Sequence, residues 1–268
     1  MPGVPGLRTL RPGVERGRWW GEAGFPSDPP PRRFHLIGVG LAKTGTTTLA
    51  ALFRPYRWGY EFLFAETVER IVAWRAGTLA EGDLRAWLGA RGEAGGLEMD
   101  AASFNHFFVE VLPELYPEAR FLYTWRDPVS WADSFLNMLL RNGVRLSGRP
   151  WPEWQCSLGR LMAPGFSPDA FSSPDALAEA TPTLGPELLR FWRDETRRVE
   201  AALPKERTLR LATDTLSVNL GTLETFVGLP PGALVAAHEN VGEGKRSFVA
   251  ALPELPGLLA HLGLESNR

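Results

Sequence analysis

Short apolar runs alternate along the chain with longer stretches of helical spacing. Phe34-His35-Leu36-Ile37-Gly38-Val39-Gly40 is too short for a helix and reads as a buried strand. A helix then starts at Thr46-Thr47-Thr48-Leu49 and runs toward Phe53. Gly96 to Asp100 reads as a second strand, and Ser103 stands where it would N-cap a helix from Phe104 to about Leu115. A third strand is expected from Ala119 to Trp125. Asp127-Pro128 then opens a helix through Ser134 to Leu140, with proline in an early position. A fourth strand falls at Thr208 to Ala212. Strands that alternate with helices predict an α/β fold: a central parallel sheet flanked by helices, of the P-loop type.

Two segments break the alternation. Residues 1–33 are rich in Pro, Gly and Arg and carry neither period, so they read as an irregular or disordered leader; the pair Trp19-Trp20 is the one feature there that would dock on a folded body. Residues 145–186 are loaded with Pro, Gly, Ser and Trp and show little periodicity. So long a stretch is expected to be functional, here as a largely irregular or helical cap over a substrate site. Residues 34–268 are expected to form a single domain.

Composition narrows the class. The chain has 268 residues, 44% of them hydrophobic, enough for a sizeable core. Its 29 basic and 31 acidic side chains leave a net charge of −2, which argues against nucleic acid as the main partner. A single cysteine, Cys156, excludes an internal disulfide. No apolar run reaches membrane length and no secretory h-region is present, so the expected location is cytoplasmic. No metal site is expected.

The strongest chemical signal lies between the first strand and its helix, in Gly40-Leu41-Ala42-Lys43-Thr44-Gly45-Thr46-Thr47-Thr48. Backbone N–H groups in such a turn cradle an anion, and glycine lets the backbone approach it closely. Gly40 and Gly45 have the spacing of the nucleoside-triphosphate loop, but Thr46 stands where that loop carries lysine and the cation has moved to Lys43. An earlier cation suits a shorter anion with one phosphate and a terminal sulfuryl group. The bland alternative is a glycine-rich turn with a solvated lysine. A second candidate anion site is Arg126, at a strand's carboxyl end, with Ser134 eight residues on, about two turns into the next helix. An arginine and a hydroxyl that converge in this way hold phosphate by charge-assisted bonds. Here the alternative is an ion pair of Arg126 with Asp127 or Asp133.

Together the two segments resemble the PAPS-dependent sulfotransferases, which use 3′-phosphoadenosine-5′-phosphosulfate (PAPS) as sulfuryl donor. The likeness covers roughly residues 34–250. It implies that Lys43, Thr44, Gly45, Thr46, Thr47 and Thr48 form the 5′-phosphosulfate loop and that Arg126 and Ser134 hold the 3′-phosphate. Asn240 to Ser247 is similar to the family's late basic element, which adds Lys245 and Arg246 to the 3′-phosphate group. Two features depart from the family: Leu41-Ala42 precedes the lysine where many members carry proline, and no dimerisation motif is evident, so oligomeric state stays open. The implied reaction is in-line transfer to a hydroxyl or amine, with PAP as the other product. Lys43 would stabilise the leaving oxygen and a general base would take the acceptor's proton.

Three candidates for the base stand in the sequence. Glu98 and Asp100 alternate by two on the second strand, near its carboxyl end as the strand is read here. His106 precedes the Leu112-Pro113 pair in a stretch similar to the family's His-containing segment. His35 reads as a packing residue and His238 as an outside candidate. Trp74, Trp87 and Trp192 read as core, while Trp151 and Trp154 are candidates for an acceptor pocket. A small-molecule acceptor is expected, with sugar and peptide still open. The competing functions are an ATP-dependent P-loop kinase, which would need lysine at position 46, and a catalytically silent nucleotide-binding module.

Overall fold

The structure is a computed structural model and describes residues 30–146, 149–237 and 246–265. In chain order the elements are β1 (Leu36–Gly38), α1 (Thr46–Leu52), β2 (Trp58–Gly59), α2 (Phe64–Arg75), α3 (Glu81–Gly95), β3 (Met99–Asp100), α4 (Leu112–Leu115), β4 (Arg120–Trp125), α5 (Pro128–Leu146), α6 (Glu153–Met162), α7 (Pro174–Ala202), β5 (Thr208–Ala212), α8 (Leu220–Val227) and α9 (Leu255–Leu262). The chain divides into two compact units. A sheet unit takes residues up to 41, 45–125 and 203–240; a helical unit takes 42–44, 126–202 and the chain from 241 on. The expected leader, including Trp19-Trp20, lies outside the described residues up to 29, as do His238 and Lys245.

The sheet unit holds five strands in the order β2-β3-β1-β4-β5, every neighbouring pair parallel. Leu36, Ile37, Phe121, Leu122 and Tyr123 are each at most 2% exposed. Both faces of the central strands are therefore covered, which is why the sequence showed them as continuous apolar runs rather than as alternation. The strands before β4 lie on one side of β1, and β4 and β5 lie on the other. That reversal puts the carboxyl end of β1 where open α/β sheets take their ligands. The sequence reading missed β2: it has only two residues, and its glycine carries no β signal. β3 is also shorter than expected and begins at Met99, so Glu98 stands at its amino end.

The expected helix from Phe104 to Leu115 does not form as one piece. A 3₁₀ turn covers Asn105–Phe108 and α4 begins at Leu112. Phe104, Phe107, Phe108 and Val109 are all buried, and tertiary packing of this apolar run overrides the helical propensity around it. Ser103 caps nothing; its hydroxyl donates to Glu61 Oε1 at 2.7 Å.

In the helical unit α5 shows the pattern the sequence implied. Trp131, Ala132, Phe135, Leu136, Leu139 and Leu140 are buried and form one apolar stripe at helical spacing. The segment expected as an irregular or helical cap is largely helical. It contains α6, a 3₁₀ turn at Pro168–Phe171 and most of the first half of the 29-residue α7. Pro182 and Pro186 lie inside α7, each removing a backbone donor at a cost of about 3 kcal/mol. Burial of Leu177, Leu184, Leu188 and Leu189 offsets that cost. Gly143 shows how close the packing is: a Cβ there would stand 2.1 Å from the Phe171 carbonyl oxygen, so only glycine lets α5 and the 3₁₀ turn meet. Trp151 packs on Phe166 and Phe171, with ring centroids 5.8 and 5.7 Å away, as part of this aromatic cluster.

Candidate functional site

The loop after β1 has an unusual backbone. Lys43 adopts φ 71° and Gly45 φ 94°, both in the left-handed region. A side chain at Gly45 would also bring its Cβ to 2.6 Å from Leu216 Cδ1, so position 45 needs glycine twice over. Thr44, Thr46 and Thr48 are buried, while Lys43 and Thr47 are half-buried. The indole N–H of Trp131 donates to the Ala42 carbonyl at 2.8 Å. Trp131 is fully buried and stacks on Phe135 and Phe191, so α5 anchors the loop one residue before its lysine. A left-handed lysine costs on the order of 1 kcal/mol and persists only where its surroundings hold it. The sequence reading gave Trp131 no role, because a tryptophan inside a helix looks like any core residue.

Arg126 follows β4 directly and is half-buried. It makes no ion pair with Asp127 or Asp133, because both carboxylates are engaged with backbone amides. Asp127 Oδ1 accepts the Ser130 N–H at 2.9 Å and caps α5. Asp133 Oδ1 accepts the N–H groups of Phe248 and Val249 at 2.9 and 2.7 Å. Burial raises the Asp133 carboxyl above its ordinary range, and these amide bonds oppose the rise. Ser134, 4% exposed, lies on the same helix. Three residues further, Asn137 clamps Arg246: its Nδ2 donates to the Arg246 carbonyl at 2.7 Å and its Oδ1 accepts the Arg246 N–H at 3.1 Å. Asp133 and Asn137 thus fasten the backbone of residues 246, 248 and 249 to α5, the helix that carries Ser134 and begins two residues after Arg126. Nothing in the sequence marked Asp133 and Asn137 for this.

The expected bases fare differently from one another. Glu98 is fully buried and saturated: Arg33 reaches both of its oxygens at 2.7 Å and the Arg57 N–H donates to Oε2 at 3.0 Å. Burial pushes the carboxyl up, but the Arg33 and Arg57 bonds and the Arg57 charge outweigh it and hold the pKa at about 2. Such a weak base, at the amino end of its strand, is poorly suited to proton abstraction at neutral pH. Asp100, at the carboxyl end of β3, is tied to Arg91 at 2.7 Å and to the Ala102 N–H at 3.2 Å. His106 is 2% exposed and stacks on Phe107 with centroids 3.9 Å apart. Next to it, Asn105 Nδ2 donates to the Gly38 carbonyl at 3.1 Å and joins this segment to the end of β1. His35 is a packing residue, as expected: it meets Tyr116 edge-on at 5.0 Å, and burial lowers its pKa to about 4.

A family model described as the sulfotransferase domain matches residues 35–215. The chain belongs to the sulfotransferase family. The match spans β1, the loop after it, Arg126 and Ser134. Among solved structures, this sulfotransferase is similar to one from Alicyclobacillus acidocaldarius, at 16% identity over 86% of this chain and 92% of that one, with a TM-score of 0.44. Sulfotransferase STF9 from Mycobacterium avium is 14% identical over 87% of this chain and 69% of its own, with a TM-score of 0.42. The sulfotransferase domain from the curacin biosynthetic pathway is 12% identical over 75% of this chain and 76% of its own, at 0.35. No curated protein matches the chain in sequence. Among the described residues no helix is long and apolar enough to cross a membrane.

Proposed function

We propose that this sulfotransferase takes its sulfuryl group from PAPS and passes it to a hydroxyl or amine of a small molecule, in the cytoplasm and without a metal ion. One observation supports the donor assignment: Arg126 directly precedes α5, α5 carries Ser134, the Arg246 backbone is fastened to α5 by Asn137, and Asp127 and Asp133 make no ion pair with Arg126. A donor with a 3′-phosphate supplies the missing anion, whereas ATP has none there. When bound, PAPS supplies an activated sulfuryl group on a 5′-phosphate. Lys43 and the loop amides and hydroxyls of Thr44 to Thr48 bind that end, and Lys43 offsets the negative charge that develops on the leaving oxygen. The donor set of lysine, arginine and hydroxyl groups suits a bisphosphate.

Calorimetry in the presence of a chelator tests this reading. Wild-type protein is expected to bind adenosine 3′,5′-bisphosphate (PAP) more tightly than adenosine 5′-phosphate. Arg126→Ala should weaken the bisphosphate by roughly tenfold or more, from the loss of a charge-assisted bond, and leave the monophosphate nearly unchanged. Equal weakening of both ligands would remove the 3′-phosphate assignment. Tighter, Mg²⁺-dependent binding of ATP would favour the kinase alternative.

A further inference from the structure

Glu61 is a carboxylate the sequence reading passed over. It follows β2 by two residues, at the carboxyl edge of the sheet, the edge from which the phosphate loop leaves β1. One of its oxygens is held: Oε1 accepts both the Ser103 hydroxyl at 2.7 Å and the Ser103 N–H at 3.2 Å. The other, Oε2, is buried and has no hydrogen-bond partner among the described residues. A buried, unpartnered carboxylate oxygen costs stability and calls for an explanation. The backbone adds a further cost, since Glu61 adopts φ 53°. Among the described residues only Lys43, Glu61 and Leu63 carry a positive φ without being glycine, so strain falls on the proposed catalytic lysine and beside this carboxylate.

We propose that Glu61 is the general base of the transfer, its Oε2 taking the acceptor's proton, and that Ser103 is the positioning residue that fixes its other oxygen. This rests on the sulfuryl-donor reading above. The acceptor oxygen forms a bond to sulfur while the bond from sulfur to the 5′-phosphate oxygen breaks. The electron pair of that bond stays on the phosphate oxygen of PAP, and the acceptor's proton passes to Oε2. Ser103 sits on the segment that Asn105 fastens to the end of β1, so Glu61 is held in register with the start of the loop. The environment also sets the proton affinity. Burial is the largest influence and pushes the Glu61 carboxyl up to about 7; the Ser103 bonds oppose it, the Asp100 charge adds to it and the Arg91 charge reduces it. A carboxylate that titrates near neutrality is a competent base, which Glu98 at about 2 is not.

The test uses water as the acceptor that is always present, reading PAP release from PAPS, together with calorimetric binding of PAP. Glu61→Gln is expected to bind PAP as the wild type does and to lose PAP release by about 100-fold or more, within the usual range for a general base. Glu61→Asp should recover part of it. The wild-type rate should rise with pH through a midpoint near 7. Ser103→Ala should move that midpoint upward, because it removes the hydroxyl donor to the ionised form while the backbone N–H remains; a merely structural serine would leave it in place. Release by Glu61→Gln within threefold of wild type, with PAP binding intact, would overturn the assignment and leave the donor reading standing. Loss of PAP binding by the wild type would instead sink the donor reading. If the wild type releases no PAP, carbon-13 NMR of the glutamate carboxyls decides: a signal near pH 7 that is missing in Glu61→Gln supports the base, and its absence refutes it.

Discussion

Glu61 and Glu98 both bury carboxylate oxygens in the sheet unit, at opposite ends of its strands, and the fold treats them in opposite ways. Glu98, at the amino end of β3, is met by two arginines and the Arg33 and Arg57 backbone amides, and its pKa is held at about 2. Glu61, beyond the carboxyl end of β2, is given a serine on one oxygen and nothing on the other, and its pKa rises to about 7. A saturated buried ion pair serves the architecture, because all its bonding capacity is spent. A half-satisfied carboxylate at the ligand edge of a parallel sheet keeps capacity in reserve for a substrate. Burial alone is therefore a poor guide to function; what distinguishes the two acids is how many partners each has been given.

Three measurements probe this contrast, the largest effect first. Glu98→Ala should destabilise the protein by about 3–5 kcal/mol, because it strands the buried Arg57, and urea unfolding would read the loss. Turnover per folded molecule should stay at the wild-type level, and a further drop would return Glu98 to the chemistry. Glu61→Gln should act in the other direction at alkaline pH. The folded pKa of Glu61 lies above that of the unfolded chain, so the wild type loses stability as pH rises from about 4.5 to about 7. The glutamine variant lacks that loss and should gain on the order of 2 kcal/mol on the wild type between pH 5 and pH 8. A pH-independent difference would show that Glu61 titrates normally. The smallest effect is expected for Arg33→Gln, about 1 kcal/mol at pH 7, since the Arg33 side chain is 56% exposed and Arg57 remains. Glu98 contributes stability above pH 4.5 that is lost as pH falls toward 2; without Arg33 that loss should begin at higher pH.

Much of this was legible in the sequence wherever the signal is local. The apolar runs at Leu36–Gly38 and Arg120–Trp125 announced their strands, since strands covered on both faces need apolar residues at successive positions. The readings of Gly40 to Thr48 as an anion loop and of Arg126 with Ser134 as a second anion site rested on short-range spacing of the same kind. The strand expected from Gly96 begins three residues later, at Met99, because only Met99 and Asp100 pair with β1 and β2, and Glu98 therefore stands at its amino end. Helical spacing at 145–186 was hidden because Pro182 and Pro186 are usual helix breakers, and the packing that overrides them is contributed by residues elsewhere in the chain.

The sequence by itself determined the parallel α/β architecture and the family, because both are written in short-range spacing. Only the tertiary structure decided which acid is saturated and which keeps an oxygen without a partner among the described residues. Glu61 and Ser103 are 42 residues apart, and Glu98 and Arg33 are 65 apart. Separations of that size carry no period and no motif. Whether a buried carboxylate meets a guanidinium or a lone hydroxyl depends on how the strands are ordered in the sheet.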